Sequence, residues 1–249
     1  MTKPPRGFKP SKRNIGDSSL RMKHEKVKTA RGRKISSKLW LERQLNDPYV
    51  LEARRQGFRS RAAFKLLELN EKLHFLKSGA RVVDLGAAPG GWCQVAAHVV
   101  LKGKNGHLGK VIGLDIQEME EMPDVTLLHQ DFTEPEAPDL LKAALGGEAD
   151  IVLSDMAAPA TGHTATDHIR IMGLCEMALD FAIEVLSPGG LFLAKVLQGG
   201  TEGEMLTSMK KHFKTVKHIK PPASRSDSAE MYVIAMGFKG RTKDTDQES

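Results

Sequence analysis

Short apolar runs rich in valine, isoleucine and leucine punctuate the chain from residue 81 onward. Between them lie longer segments whose apolar residues recur three and four positions apart. The first pattern predicts strands covered on both faces, and the second predicts amphipathic helices. Strands are expected at 81–85, 110–115, 124–129, 150–154, 190–196, 215–219 and 231–238, and helices at 90–101, 135–145, 165–186 and 202–213. In the long helix, Ile171, Leu174, Cys175, Ala178, Leu179, Ala182 and Leu186 keep helical spacing, and Ser187-Pro188-Gly189-Gly190 stops it and turns into the next strand. Upstream, a helix is expected from Ser37, a plausible N-cap, to Asn46. A second runs from Asp47-Pro48 to Gly57, and a third from Arg61 to Leu73 with Ala63, Leu66, Leu67 and Leu69 on one face. Strands alternating with helices argue an α/β fold, a Rossmann-like doubly wound seven-stranded sheet with helices on both sides.

Charge divides the chain. Residues 1–38 carry 13 Lys/Arg against Asp17 and Glu25, a net of +11, and the remainder carries −5. The first segment has few large apolar residues, so it is expected to be a disordered basic arm over 1–36. A single folded domain is expected over 37–238, with a flexible tail at 239–249. Such an arm suggests a polyanionic partner, RNA or DNA; a passive solubilising tail is the alternative. No run approaches the ~20 apolar residues that span a bilayer, and the polar N-terminus lacks the apolar core of a secretory signal. Cys93 and Cys175 make no disulfide framework. His163 and His168 lie five apart with no cysteine or third histidine at ligand spacing, so no metal site is expected. A cytoplasmic protein is the default. Nothing resembles a zipper or an exposed apolar stripe, and a monomer is expected.

The most informative stretch is Val82 to Trp92, V-V-D-L-G-A-A-P-G-G-W. A strand ending near Asp84 runs through a turn with Gly86, Gly90 and Gly91 into a helix N-terminus, where α/β folds hold nucleotides. A second acid, Asp115, ends the next strand, where a carboxylate can take both hydroxyls of a ribose. The turn is not a triphosphate-binding loop, because G-x-x-x-x-G-K-[ST] is absent. It also has Ala88 where a pyrophosphate-binding turn needs glycine. A nucleoside without a pyrophosphate fits better, and S-adenosylmethionine is one.

Ligands of such sheets bind off the C-terminal strand ends. Asp84, Asp115, Asp131 and Asp155 fall at or just after the first four. Lys195 lies inside the apolar strand Leu191–Leu197, where a lysine is costly unless paired or functional. Glu230 leads into the last strand, and Lys65 sits within R-S-R-A-A-F-K-L at 59–66.

With S-D-M-A at 154–157, K-V-L-Q-G at 195–199 and E-M-Y-V-I-A at 230–235, the chain resembles the FtsJ-like ribosomal RNA 2′-O-methyltransferases, in particular those acting on a uridine of the large-subunit RNA. The resemblance runs from about Ser37 to Gly237. It implies a fold of the S-adenosylmethionine-dependent methyltransferase type, and a Lys-Asp-Lys-Glu tetrad at Lys65, Asp155, Lys195 and Glu230. It also implies cofactor contacts at Gly90, Trp92, Asp115, Asp131 and Asp155. Two departures stand out: Ala158-Pro159-Ala160 where the family often has Pro-Asn, and a basic arm longer than the fold needs.

The expected reaction moves a methyl group from a sulfonium to a ribose 2′-hydroxyl. Lys195 is the expected general base, with burial and the positive Lys65 favouring its neutral form. Asp155 would orient it, and Lys65 and Glu230 would position the ribose. Arg54, Arg55, Arg59 and Arg61 are candidates for RNA phosphates. Aromatic content of 5% leaves few stacking platforms, which argues for a structured RNA or ribonucleoprotein. Ribosomal RNA in a large subunit or its precursor is the partner the resemblance implies. Transfer RNA or an mRNA cap as substrate, and a non-catalytic assembly factor, are the alternatives. A nicotinamide-dependent oxidoreductase is disfavoured by the missing glycine.

Overall fold

Asp47 starts a helix in the way its position before proline suggests. Its carboxylate accepts the Tyr49 N–H at 3.0 Å, Pro48 follows in the first turn, and Gly57 closes the helix at φ 76°. The computed structural model describes residues 41–102, 109–159, 161–198 and 203–241. Within them, helix α1 (41–45) precedes α2 (Pro48–Gln56) and α3 (Ala62–Leu73). Then follow β1 (Arg81–Leu85), α4 (Gly91–Val100), β2 (Lys110–Asp115), β3 (Thr126–His129), α5 (Ala137–Leu145), β4 (Ala149–Ser154), α6 (Thr164–Val185), β5 (Leu186–Leu197), α7 (Glu204–His212), β6 (Phe213–Ile219) and β7 (Glu230–Phe238). The arm at 1–36, the proposed cap Ser37 and the tail from 242 lie outside the described residues.

All seven strands form one sheet in the order β3-β2-β1-β4-β5-β7-β6. The first five are parallel, and β7 lies antiparallel between β5 and β6. The sheet is covered on both faces. One face buries Leu141 and Leu145 of α5, Cys175 and Leu179 of α6 and Met209 of α7. The other buries Leu66 and Leu69 of α3 and Trp92 and Val95 of α4. No described helix is long and apolar enough to cross a membrane.

Three expectations need correction. The third strand starts at Thr126 rather than 124, because Asp124 takes a left-handed conformation (φ 60°) and the Val125 N–H closes a turn onto Met122 O. Ser187-Pro188-Gly189-Gly190 is not a turn ahead of β5. Leu186 already pairs with Ala149, and the four residues form an irregularity inside the strand, with a register shift between Ala149 and Ile151. In α6 the apolar stripe becomes fully buried only from Cys175; Ile171 and Leu174 are half-buried, and Ile169 is 71% exposed.

Candidate active site

The parallel register sets the frame. Leu85 at the end of β1 pairs with Leu114 of β2 and Ser154 of β4, so Asp115 and Asp155 emerge on either side of the β1 turn. The turn is tied to both neighbours. The Gly86 and Ala87 N–H groups donate to Leu114 O, the Ala88 N–H donates to Asp115 Oδ2 at 2.9 Å, and the Asp155 N–H donates to Leu85 O at 3.0 Å. Gly86 has φ 75°, and a Cβ there would lie 2.8 Å from the Met156 backbone. Glycine is what lets the turn and the Ser154–Met156 segment touch.

Asp115 accepts the Ala88 and Gln117 N–H groups, one on each oxygen, which fixes its carboxylate with lone pairs to spare. Ile116 beside it is 56% exposed, an apolar surface that the sequence reading did not single out. Asp131 is exposed, and the Thr133 N–H and hydroxyl both donate to its Oδ1 and hold it below the usual carboxylate range. Helix α4 follows the N-cap Gly90 (φ 106°) with no side-chain cap; the Cys93 N–H is taken by Asp84, and the N–H groups of Gly91 and Trp92 are available to an anion. Trp92 is buried, with its indole N–H donating to Ala62 O at 2.8 Å and its ring 5.7 Å from that of Tyr232. Its side chain braces α3, and its contribution to a ligand would come from the backbone. A ribose diol at Asp115 and a carboxylate at the α4 N-terminus fit this set.

The four tetrad positions come together from four elements. Lys65 of α3 and Lys195 of β5 are both nearly buried. Lys65 Nζ lies 2.6 Å from Glu230 Oε1 and 3.8 Å from Asp155 Oδ2. Lys195 Nζ lies 3.1 Å from Asp155 Oδ1 and donates to Asp155 O at 2.6 Å. The formal charges cancel, which is the condition for burying them. Burial pushes the Asp155 carboxyl up, but Lys195, Lys65 and the Tyr232 hydroxyl outweigh it, and the net shift is downward.

Tyr232 is the residue the sequence reading missed. It pairs across the strands with Lys195 and is fully buried. Its hydroxyl accepts from Lys65 Nζ at 3.0 Å and donates to Asp155 Oδ1 at 2.8 Å, with Glu230 Oε1 3.3 Å away. Burial and the two carboxylates raise its pKa well above the ordinary phenol value, so it stays a donor. The signal was present: Tyr232 follows Glu230 by two residues, which puts both on one strand face. Ser224 was also missed. Its hydroxyl donates to Glu230 Oε1 at 3.1 Å, from a loop with no periodicity to read.

The arginines do not behave as a group. Arg61 pairs with Asp47 at 3.0 Å and donates to Ala223 O, Arg55 pairs with Glu52, and Arg59 donates to three carbonyls. Arg61 and Arg59 are engaged within the fold, whereas Arg55, 67% exposed, and Arg54, also exposed, stay open to phosphates.

The FtsJ-like methyltransferase family model matches residues 58–238. A protein of Parvibaculum lavamentivorans is 61% identical over 233 residues, covering 92% of each chain. One of Paramagnetospirillum magneticum is 63% identical over 220 residues, covering 88% of this chain and 89% of its own. Both carry the name ribosomal RNA large subunit methyltransferase E. A crystal structure from Plasmodium falciparum, assigned as a ribosomal RNA methyltransferase, superposes with a TM-score of 0.64 at 32% identity. It covers 74% of this chain and 100% of that one.

Proposed function

The chain belongs to the FtsJ-like methyltransferase family, and from that premise we propose that it methylates the 2′-hydroxyl of a uridine ribose in large-subunit ribosomal RNA. The substrate is RNA within the assembling subunit, met in the cytoplasm by a monomer. Residues 37–238 form the catalytic domain and residues 1–36 an RNA-binding arm. The observation that carries the reading is the closed Lys65–Asp155–Lys195–Glu230 network directly beside the β1–α4 turn.

S-adenosylmethionine supplies an electrophilic methyl group on a cationic sulfur that leaves as a neutral thioether. Asp115 would receive the ribose hydroxyls, Asp131 and Ile116 would flank the base, and the N–H groups of Gly91 and Trp92 after Gly90 would take the carboxylate tail. Asp155 lies nearest the reacting centre and holds Lys195 by its carboxylate and its carbonyl. As a neutral amine, Lys195 would be the general base of the transfer. Lys195 then accepts the proton of the 2′-hydroxyl as its oxygen takes the methyl group. Lys65 and Glu230, paired directly and both bonded to Tyr232, would hold the ribose for an in-line transfer, which is a large part of the catalysis.

Mapping 2′-O-methyl groups in total RNA from a deletion strain tests the substrate. Loss of one large-subunit uridine mark is expected; loss confined to transfer RNA would reassign the substrate, and no loss would remove the activity. Complementation with Lys195→Arg should not restore the mark, because a guanidinium does not give up its proton near neutral pH. Restoration would reduce Lys195 to an electrostatic role.

A further inference from the structure

Arg59 occupies a position that neither the tetrad nor the cofactor contacts explain. Its guanidinium crosses from the loop before α3 to two other loops. Nη1 donates to Pro89 O at 3.3 Å and to Glu120 O at 2.8 Å, and Nη2 donates to Glu121 O at 2.8 Å. Pro89 is in the β1–α4 turn, and Glu120 and Glu121 are in the loop that follows Asp115. The root of Arg59 is fixed as well. Its N–H donates to Gln94 Oε1 at 2.8 Å, and Gln94 Nε2 donates back to Gly57 O at 3.1 Å.

Gly90 records the same bridge from the other side. A Cβ at this position would meet Arg59 Nη1 at 3.0 Å, Met122 Cε at 3.1 Å and Arg59 Cδ at 3.2 Å. The glycine therefore leaves room for the arginine and the 116–124 loop to close over the turn, apart from any room it leaves for a ligand.

We infer that Arg59 is a positioning residue for the cofactor, a brace that fixes the distance between the two loops flanking the adenosine site. The inference rests on S-adenosylmethionine being the ligand there. Otherwise the β1–α4 turn is held by the Gly86, Ala87 and Ala88 bonds to β2. The 116–124 loop is held, among the described residues, only near its ends, by the Gln117 N–H on Asp115 Oδ1, the contact of His129 Nε2 with Ile116 O and the Val125 N–H on Met122 O. Without the brace, part of the ordering of its middle falls on ligand binding. That cost weakens affinity without touching the chemistry. Lysine cannot replace arginine here, since a compact ammonium lacks the planar fork that reaches three carbonyls on two loops. Lys65, Asp155, Lys195 and Glu230 have no hydrogen bond to Arg59 in the structure, so turnover at saturating cofactor should survive.

The test uses full-length wild type, Arg59→Lys and Arg59→Gln. Each is titrated calorimetrically with S-adenosylmethionine and S-adenosylhomocysteine, then assayed for methyl transfer and melted thermally. Both variants should bind both ligands on the order of 10-fold more weakly and by the same factor, because a wall is lost rather than a charge facing the sulfonium. Turnover at saturating cofactor and KM for RNA should stay near wild type. Unchanged cofactor affinity with a lowered melting temperature would make Arg59 a fold strut and overturn the inference. A raised KM for RNA with unchanged cofactor affinity would make it a phosphate contact and overturn it equally. Hydrogen exchange on the wild type gives a reading independent of variant folding. S-adenosylhomocysteine should protect the 116–124 amides, and no added protection there would count against the brace. Wild type that binds neither ligand would overturn the functional reading itself, and the inference with it.

Discussion

Asp84 is an acid at a position where a buried parallel strand ordinarily carries valine. It is fully buried; the Cys93 thiol donates to one oxygen at 3.2 Å, and the other has no hydrogen-bond partner among the described residues. Burial pushes its carboxyl up to about 8; the Cys93 thiol opposes this, and the charges of Asp155 and Asp115 reinforce it. The folded protein therefore holds a proton that the unfolded chain releases near pH 4. Between those values the native state binds more protons, so stability falls as pH rises, by up to about 1.4 kcal/mol per unit, and levels off above about pH 8. Asp84→Asn keeps the shape and removes the titration. Its melting temperature relative to wild type should rise from pH 5 to pH 8. A difference independent of pH would show that Asp84 is already ionised at neutral pH. The sequence marked Asp84 as an acid near a strand end but not its protonation, which depends on neighbours from β2, β4 and α4. Tyr232 was illegible for a related reason. Its i, i+2 relation to Glu230 was visible, but its meeting with Lys65 required α3 to dock on β7.

Among the elements, the β1–α4 turn was the most legible and the least tolerant of change. Its glycines announced a sharp turn; what they approach was not in the string. Gly86→Ala places a Cβ 2.8 Å from the Met156 backbone at φ 75°, combining left-handed strain with a collision. Gly162 has φ 84° with nothing within 4 Å among the described residues, so Gly162→Ala isolates the strain, about 1–2 kcal/mol. Denaturant titration should find Gly86→Ala more costly than Gly162→Ala. Calorimetry should find weaker S-adenosylmethionine binding for Gly86→Ala alone, because the displaced segment carries Asp155. Equal losses in the two variants would show that the turn can yield to Met156. Strand number and the helix faces followed from periodicity. The antiparallel direction of β7 did not, since an apolar run reads the same both ways and direction is decided by the β6–β7 connection. The full-length stripe expected of α6 failed in its first half for lack of a covering surface. Periodicity reports which residues share a face, not whether another element lies against it.

Across the molecule, charge and catalysis occupy different parts of the chain. The tetrad sums to zero and residues 39–249 carry −5, while the first 38 residues carry +11. Of the arginines nearest the site, Arg61 is spent on Asp47 and Arg59 on loop carbonyls, which leaves the exposed Arg54 and Arg55 against 13 Lys/Arg in the first 38 residues. That shifts the expected source of phosphate contacts from the catalytic domain to the arm. Each phosphate neutralised by lysine or arginine releases counterions, and the logarithm of affinity falls with that of salt by about 0.9 per contact on a duplex and about 0.7 on single strands. Deleting residues 1–36 should therefore weaken binding to large-subunit RNA and flatten the salt slope by several such contacts. The full-length and truncated proteins should converge in affinity as salt rises. S-adenosylmethionine affinity should not change, because every expected cofactor contact lies at or beyond Gly90. Filter binding across a salt series, with calorimetry for the cofactor, measures both. An unchanged slope in the truncated protein would leave the arm a passive tail and return the burden of RNA binding to a domain whose net charge opposes it.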